Sequence, residues 1–239
     1  VFGSNVTADN STTYMSFFSQ MDTYGDGYAG IGVWRAAFKP LVDRIADTDI
    51  RLQWFCCDRS TGVTDASGNR ITLIRDTQSP VAVEYQAVKF IGTGRDNIKA
   101  GVFSGWELGD YIYLRSEEAY MIKMEALAHK SSAEAVTELN SFMKTRQPDY
   151  NYTFTNKADL IEEIIYQKRV EFWGEGLEYI DNRRLNIPVD RTDETWGAEN
   201  NNHFSAGKFR YNQEDRPFLY QLPLSEIENN SQLSPSDQN

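Results

Sequence analysis

The stretch Gln167-Lys168-Arg169-Val170-Glu171-Phe172-Trp173-Gly174-Glu175-Gly176-Leu177-Glu178-Tyr179-Ile180-Asp181-Asn182-Arg183-Arg184 decides how this chain folds, because it sets charges at helical spacing around two glycines and an aromatic cluster. A glycine inside a helix costs about 1 kcal/mol relative to alanine, so a helix arriving from upstream must bend or restart at Gly174 and Gly176. Beyond the break the spacing predicts that Tyr179 and Ile180 turn inward, while Asp181, Arg183 and Arg184 supply hydrogen bonds and ion pairs. Charges so placed satisfy helix ends and one another. Arg169, Glu171, Glu175, Asp181 and Arg184 are therefore expected to serve the fold rather than a ligand.

Working back from that stretch, a helix beginning near Lys157 would bury Leu160, Ile161, Ile164, Ile165 and Phe172. Before it, Ala119, Ile122 and Ala126 fall on one helical stripe and Met121, Met124 and Ala128 on the next, which predicts a helix buried on two sides. Ser131-x-x-Glu134 reads as a capping box opening another helix, whose apolar stripe of Ala135, Val136, Leu139, Phe142 and Met143 stops before Pro148. Small residues on the first helix and bulkier ones on the second suit a tetratricopeptide-like hairpin. His129 closes the first of these helices, where a cation suits the dipole.

Residues 1–109 hold most of the sixteen glycines and show little sustained helical periodicity. One amphipathic run, Trp34, Phe38, Leu41, Val42 and Ile45, predicts a single helix, and the 63–73 segment carries turn formers between β-branched residues, a hairpin signal. The expected division is a loop-rich segment over 1–109 and a helical segment over 110–239, both belonging to one domain. From Asn186 to Pro217, asparagines, charges and isolated aromatics read as a long surface loop.

The 239 residues are 40% hydrophobic and 13% aromatic, enough for a real core. A formal charge of −11 would repel nucleic-acid phosphates and anionic headgroups, so nucleic acid is not an expected partner. No apolar stretch approaches the ~20 residues of a membrane-spanning helix. The only cysteines, Cys56 and Cys57, are adjacent and read as two plain thiols, with a strained vicinal disulfide as the alternative.

Two further segments flank the glycine stretch: Leu114-Arg115-Ser116-Glu117-Glu118-Ala119-Tyr120-Met121-Ile122-Lys123-Met124-Glu125-Ala126, and Leu222-Pro223-Leu224-Ser225-Glu226-Ile227-Glu228-Asn229-Asn230. In this order the three resemble the "L-R-x-A-E-x-Y-L", "E-R-R-x-E-x-x-x-E-G" and "P-I-P-x-x-E-I-x-x-N" segments of the SusD/RagB family, and Asp49-Ile50-Arg51-Leu52 is similar to its "D-P-R-L" step. The resemblance covers roughly residues 40 to 239. It departs from the pattern at Gln167, Lys168, Glu117, Glu178 and Leu224. It implies a mainly α fold of tetratricopeptide-like helical hairpins, SusD-like, with a loop-rich segment carrying short β-hairpins. It further implies an outer-membrane lipoprotein at the cell surface of Bacteroidetes, binding an oligosaccharide without catalysis and delivering it to a SusC-like TonB-dependent transporter. Family members are about twice as long. The chain is thus expected to be the C-terminal portion, its lipid anchor and N-terminal half lying outside the sequence.

The residues themselves offer little catalytic chemistry. No GxSxG elbow, HExxH pair or Walker A loop is present, Gly92-Thr93-Gly94 lacks a third glycine, and no cofactor is expected. Asp22-Thr23-Tyr24-Gly25-Asp26-Gly27 begins like a Ca²⁺ loop but puts Tyr24 at the third position and Val33 at the twelfth, so no metal site is assigned. Aromatic rings in glycine-rich loops stand out instead. A sugar presents a C–H face that stacks on an indole or phenol, while its hydroxyls seek carboxylate and guanidinium partners. The candidate ligand residues are Tyr24, Tyr28 and Trp34, with Asp26 and Arg35 for hydroxyls; Trp34 also reads as core, and Trp54, Trp106 and Trp196 are the reserve. Peptide capture, a purely structural docking role for the transporter and, behind these, a glycosidase are the competing functions.

Overall fold

A computed structural model of the chain describes residues 2–7, 9–10, 16–22, 28–29, 33–57, 83–90, 109–215 and 219–237. The chain falls into two compact units, Val1–Glu171 and Phe172–Asn239. Each is built mainly from helices, and among the described residues the strands form only two-stranded pairs.

In the first unit, β1 (Phe2–Ser4) will pair with a distant strand, and α1 (Phe17–Met21) opens on Ser16, whose hydroxyl accepts from the Ser19 amide. The next helix, α2 (Lys39–Asp43), is shorter than the periodicity from Trp34 to Ile45 predicts. Two facts cut it back. Pro40 fits only a first turn, and the backbone before it is already engaged, with Ala87 donating to Arg35, Ala37 donating to Tyr85, and Ala36 bridging Gln86. A tight turn at Ile50–Trp54, capped by the Asp49 carboxylate, leads into β2 (Phe55–Cys56), which pairs antiparallel with β3 (Gln86–Ala87). Cys56 and Cys57 are both buried thiols. The 63–73 hairpin lies outside the described residues. β4 (Tyr111–Leu114) closes on β1, and Tyr111 packs edge-on against Phe17 at 4.8 Å.

Three helices form the core of this unit: α3 (Ser116–Lys130), α4 (Ser132–Met143) and α5 (Lys157–Glu171). α3 packs on both α4 and α5. The buried stripes are Met121, Met124 and Ala128 on α3, Ala135, Leu139 and Met143 on α4, and Leu160, Ile164 and Val170 on α5. With buried Gln167 standing between Ile164 and Val170, their spacing of three and four residues is what the helical period requires. The second stripe expected on α3 is not buried: Ala119, Ile122 and Ala126 face outward, Ile122 with 54% of its surface exposed. An alanine and isoleucine stripe is equally compatible with either environment until a partner helix is counted, and among the described residues of this unit α4 and α5 pack on the other side of α3. The capping box at Ser131 does not form either. Ser131 is extended and serves both ends at once, its amide donating to Leu127 to close α3 and its carbonyl accepting from Ala135 to open α4.

The second unit begins where the glycine stretch predicts a break. Gly174 and Gly176 both adopt positive φ, 79° and 85°, a conformation that side chains other than glycine's resist. α6 (Leu177–Leu185) restarts after Gly176 and ends at Asn186, itself left-handed, whose amide donates back to the helix. Tyr179 is half-buried, but Ile180 is 58% exposed, against the inward turn expected of it. It occupies the solvent face of a helix whose buried side is taken by Asp181 and Asn182.

The 186–217 segment is organised rather than a bare loop. β5 (Val189–Asp190) pairs antiparallel with β6 (Arg210–Tyr211), and α7 (Asp193–Trp196) and a turn at Ser205–Gly207 lie between them. Side chains hold it together. Asp190 accepts from the Thr192 amide and hydroxyl, the Thr195 hydroxyl and Arg210, and Asp193 accepts from Lys208 and Asn201. Polar residues that look loop-like in sequence here tie the loop to itself. The near-terminal motif forms α8 (Leu224–Asn229), anchored through buried Ile227.

Candidate functional site

The residues singled out for a ligand platform sit just after α1. The Ser19 carbonyl accepts from the Ala29 amide at 2.9 Å, and the Ser19 hydroxyl accepts from the Tyr28 amide at 3.3 Å. The Val33 amide donates to the Tyr28 carbonyl at 3.0 Å. Tyr28 and Trp34 are 40% and 42% exposed. For Trp34 this overturns the core reading. It precedes α2 by several residues and never joins that helix's buried face.

Arg35 is bonded to α1: its Nε donates to the Gln20 carbonyl at 3.2 Å and its Nη2 to Gln20 Oε1 at 3.1 Å. Tyr24 and Asp26 lie outside the described residues, as does Trp106. Asp22 is buried, and among the described residues no cluster of three or more His, Cys, Asp and Glu side chains could hold a metal ion. Trp54 is half-buried under the Lys89 ammonium, 4.8 Å from its ring, and Trp196 donates its indole N–H to the Asp190 carbonyl. Sequence reasoning passed over a further aromatic group in the second unit, where Tyr179, Phe209, Tyr211 and Tyr220 line a cleft of about 360 Å³. Tyr179 lies far along the chain from Phe209 and Tyr211, and Tyr220 lies outside any paired strand, so no local pattern in the sequence announces the group.

The strongest electrostatics of the first unit are internal. Glu171, at the end of α5, accepts from Arg115 (2.8 Å) and Arg146 (3.0 Å) on one oxygen and from Arg146 (3.3 Å) and Arg51 (3.5 Å) on the other. Its backbone carbonyl accepts from Lys89 and Arg115, both at 2.7 Å. Burial by itself would push the carboxyl's pKa up; hydrogen bonds from Arg146 and Arg115 and the Arg51 charge overcome that and hold it at about 2. Arg51 is itself buried and bidentate to Asp49, with Gln167 Oε1 at 2.5 Å. Gln167 passes the chain on to Glu163, which also accepts from Tyr150 (2.8 Å) and Arg44 (2.5 Å). The Tyr150 hydroxyl is driven far above its ordinary pKa, by burial first and by the Glu163 charge second. A carboxylate pinned by three guanidiniums is a fixed anion and not a proton donor, so this cluster acts as scaffold.

Asp49 and Arg51, Arg115, and Glu171 come from three separate segments that the sequence reading matched to one family, and the fold joins them in a single buried network. The SusD family matches residues 85–239 of this chain. The chain belongs to the SusD family. Its fold is that of solved structures with little sequence in common. A SusD-like carbohydrate binding protein from Bacteroides vulgatus aligns at TM-score 0.65 with 21% identity over 97% of this chain and 47% of that one. A candidate sugar-binding protein from the same organism aligns at TM-score 0.59 with 18% identity over 98% and 44%. This SusD-family chain therefore spans about half the length of the structures it resembles. No curated protein matches it.

Proposed function

We propose that this chain is the glycan-facing C-terminal portion of a cell-surface nutrient-binding protein, one that captures an oligosaccharide without cleaving it and passes it to a SusC-like TonB-dependent transporter of the outer membrane. The observation that carries the reading is the pair Tyr28 and Trp34, two exposed rings beside α1, Tyr28 bonded through its amide to Ser19 and Trp34 next to Arg35, which bonds to Gln20. Two exposed rings offer stacking faces for sugar C–H surfaces. Membership of the SusD family and likeness to proteins described as carbohydrate and sugar binding support it.

The outward stripe of α3, with Ile122 and the half-exposed Tyr120, is where further helices of a longer protein would stack, and the roughly twofold length of the structural neighbours supports such a partner segment. Anchoring by lipid would reside in that segment. Among the described residues no helix is long and apolar enough to cross a membrane.

The test is a glycan array on the full-length protein, followed by calorimetry of Trp34→Ala and Tyr28→Ala with the glycan selected. Truncating a ring that carries binding energy costs about 1 to 3 kcal/mol, so affinity should fall at least fivefold. Parental affinity in both variants would dismiss the platform, and a silent array would dismiss glycan capture.

A further inference from the structure

The β5–β6 pair in the second unit builds a cleft that the platform above does not use. Val189 lies opposite Tyr211 and Asp190 opposite Arg210, and the Arg191 amide donates to the Phe209 carbonyl, extending the ladder by one position. Side chains alternate across such a ribbon, so Val189, Arg191, Phe209 and Tyr211 share one face, and Asp190 and Arg210 pair on the other at 2.8 Å. Tyr179 from α6 and Tyr220 complete the opposite wall as an edge-on pair 5.2 Å apart. The resulting cleft of about 360 Å³ falls in the size range of small-ligand sites.

Arg191 is its distinguishing feature. The guanidinium lies over the Phe209 ring, 4.9 Å from its centre. The neighbouring carboxylates are already committed, Asp190 to Arg210 and two threonines, Asp193 to Lys208 and Asn201. Among the described residues no carboxylate is paired with Arg191. His203 stands close enough to be affected: burial first, then the Arg191 and Lys208 charges, keep its pKa below the ordinary value, so it adds no second cation at neutral pH.

We infer that this cleft binds a sugar carrying a single carboxylate, a hexuronate residue, with Arg191 gripping the carboxylate through its planar fork and Tyr211, Tyr179 and Tyr220 supplying stacking faces and hydroxyls. A guanidinium is the group matched to a carboxylate in two-point geometry, and rings around it fit the apolar face of a pyranose. The net charge of −11 selects against a densely anionic polymer, which the rest of the surface repels, and in favour of one charge seated at one cation. The inference rests on the glycan reading only in choosing a sugar as the carrier of the carboxylate, and it is independent of Trp34.

Amide signals of the isotopically labelled full chain, followed by NMR during titration with sodium glucuronate and sodium galacturonate, test it, with glucose and sodium acetate as parallel probes. One of the uronates should produce saturable shifts at Val189, Arg191, Phe209 and Tyr211 in the millimolar range, while glucose and acetate leave those signals in place. Arg191→Gln should weaken the uronate at least tenfold. Tyr220→Ala, which removes a ring 80% exposed and is tolerated by the fold, should weaken it several-fold, and this arm decides if Arg191→Gln does not fold. Trp34→Ala should leave uronate binding unchanged. Silence toward both uronates, equal response to acetate or glucose, or unaltered affinity in a folded Arg191→Gln overturns the site. Neutral-glycan binding at Trp34 with no uronate binding defeats this inference alone, and uronate binding with no effect of Trp34 or Tyr28 on any glycan defeats the platform alone.

Discussion

Replacing Glu171 by glutamine keeps the shape of the side chain and removes the charge on which Arg51, Arg115 and Arg146 converge. The carboxyl is held at about 2 against an ordinary 4.5. At about 1.36 kcal/mol per unit, this difference is worth roughly 3 kcal/mol of folding stability. Because the folded pKa is the depressed one, that stability is fully present above pH 4.5 and is lost as the pH falls towards 2. Near pH 3 only about 1 kcal/mol remains. Leaving buried guanidiniums short of a partner acts in the same direction, breaking a buried pair costing about 3 to 5 kcal/mol. For a unit of this size Glu171→Gln should lower Tm by roughly 6 to 12 °C at pH 7. The assay is unfolding of both proteins in urea at pH 7, 4 and 3, followed by circular dichroism, with the stability gap narrowing at each step down. Equal stability at pH 7, or a gap that stays constant to pH 3, would refute the reading of Glu171 as the anionic centre of the scaffold.

Asp181 is buried and accepts from Arg184 Nε at 2.7 Å, so Asp181→Ala should cost about 1 to 3 kcal/mol in thermal unfolding and leave the glycan affinity of the folded protein at its parental value; selective loss of binding with full stability would give Asp181 to a ligand site instead. Gly176 has φ of 85° with open space where a Cβ would sit, so Gly176→Ala should cost about 1 to 2 kcal/mol from backbone strain alone, measured by the same melt. Gly176→Asn should recover part of that loss, and a neutral Gly176→Ala would mean that the left-handed turn is not needed.

Legibility from sequence followed the range of the interactions. α3, α4 and α5 were readable because a 3.6-residue period repeats for three or more turns, and the glycine break was readable because Gly174 and Gly176 stand where a side chain would be strained. The start of α2 was present in the sequence as Pro40, and the apolar run from Trp34 masked it. Nothing local announces β5 and β6, since two-residue strands carry no measurable period and their stability comes from Asp190 and Asp193 bonding across the loop. The Glu171 cluster was invisible for a different reason: its arginines lie 25 to 120 residues away along the chain. Tyr28 and Trp34 were singled out by composition alone, but the bonds Arg35 makes depended on the position of Gln20, which only the fold supplies.

Family likeness and ligand choice are therefore written in different residues. The segments that resemble the SusD family contribute Arg51, Arg115 and Glu171 to a buried network, so substitutions at those positions act through stability. A buried ion network of this kind forces its members to vary together, because removing one strands the others, whereas an exposed ring such as Trp34 is free to change without cost to the core. On the proposed glycan function, specificity would lie in residues that make few demands on the core, Tyr28 and Trp34 and the ribbon from Val189 to Tyr211. Of the two, the ribbon carries more chemical information, since an arginine without a carboxylate partner among the described residues, on a chain with eleven more acidic than basic side chains, discriminates by charge where a bare aromatic ring discriminates only by shape.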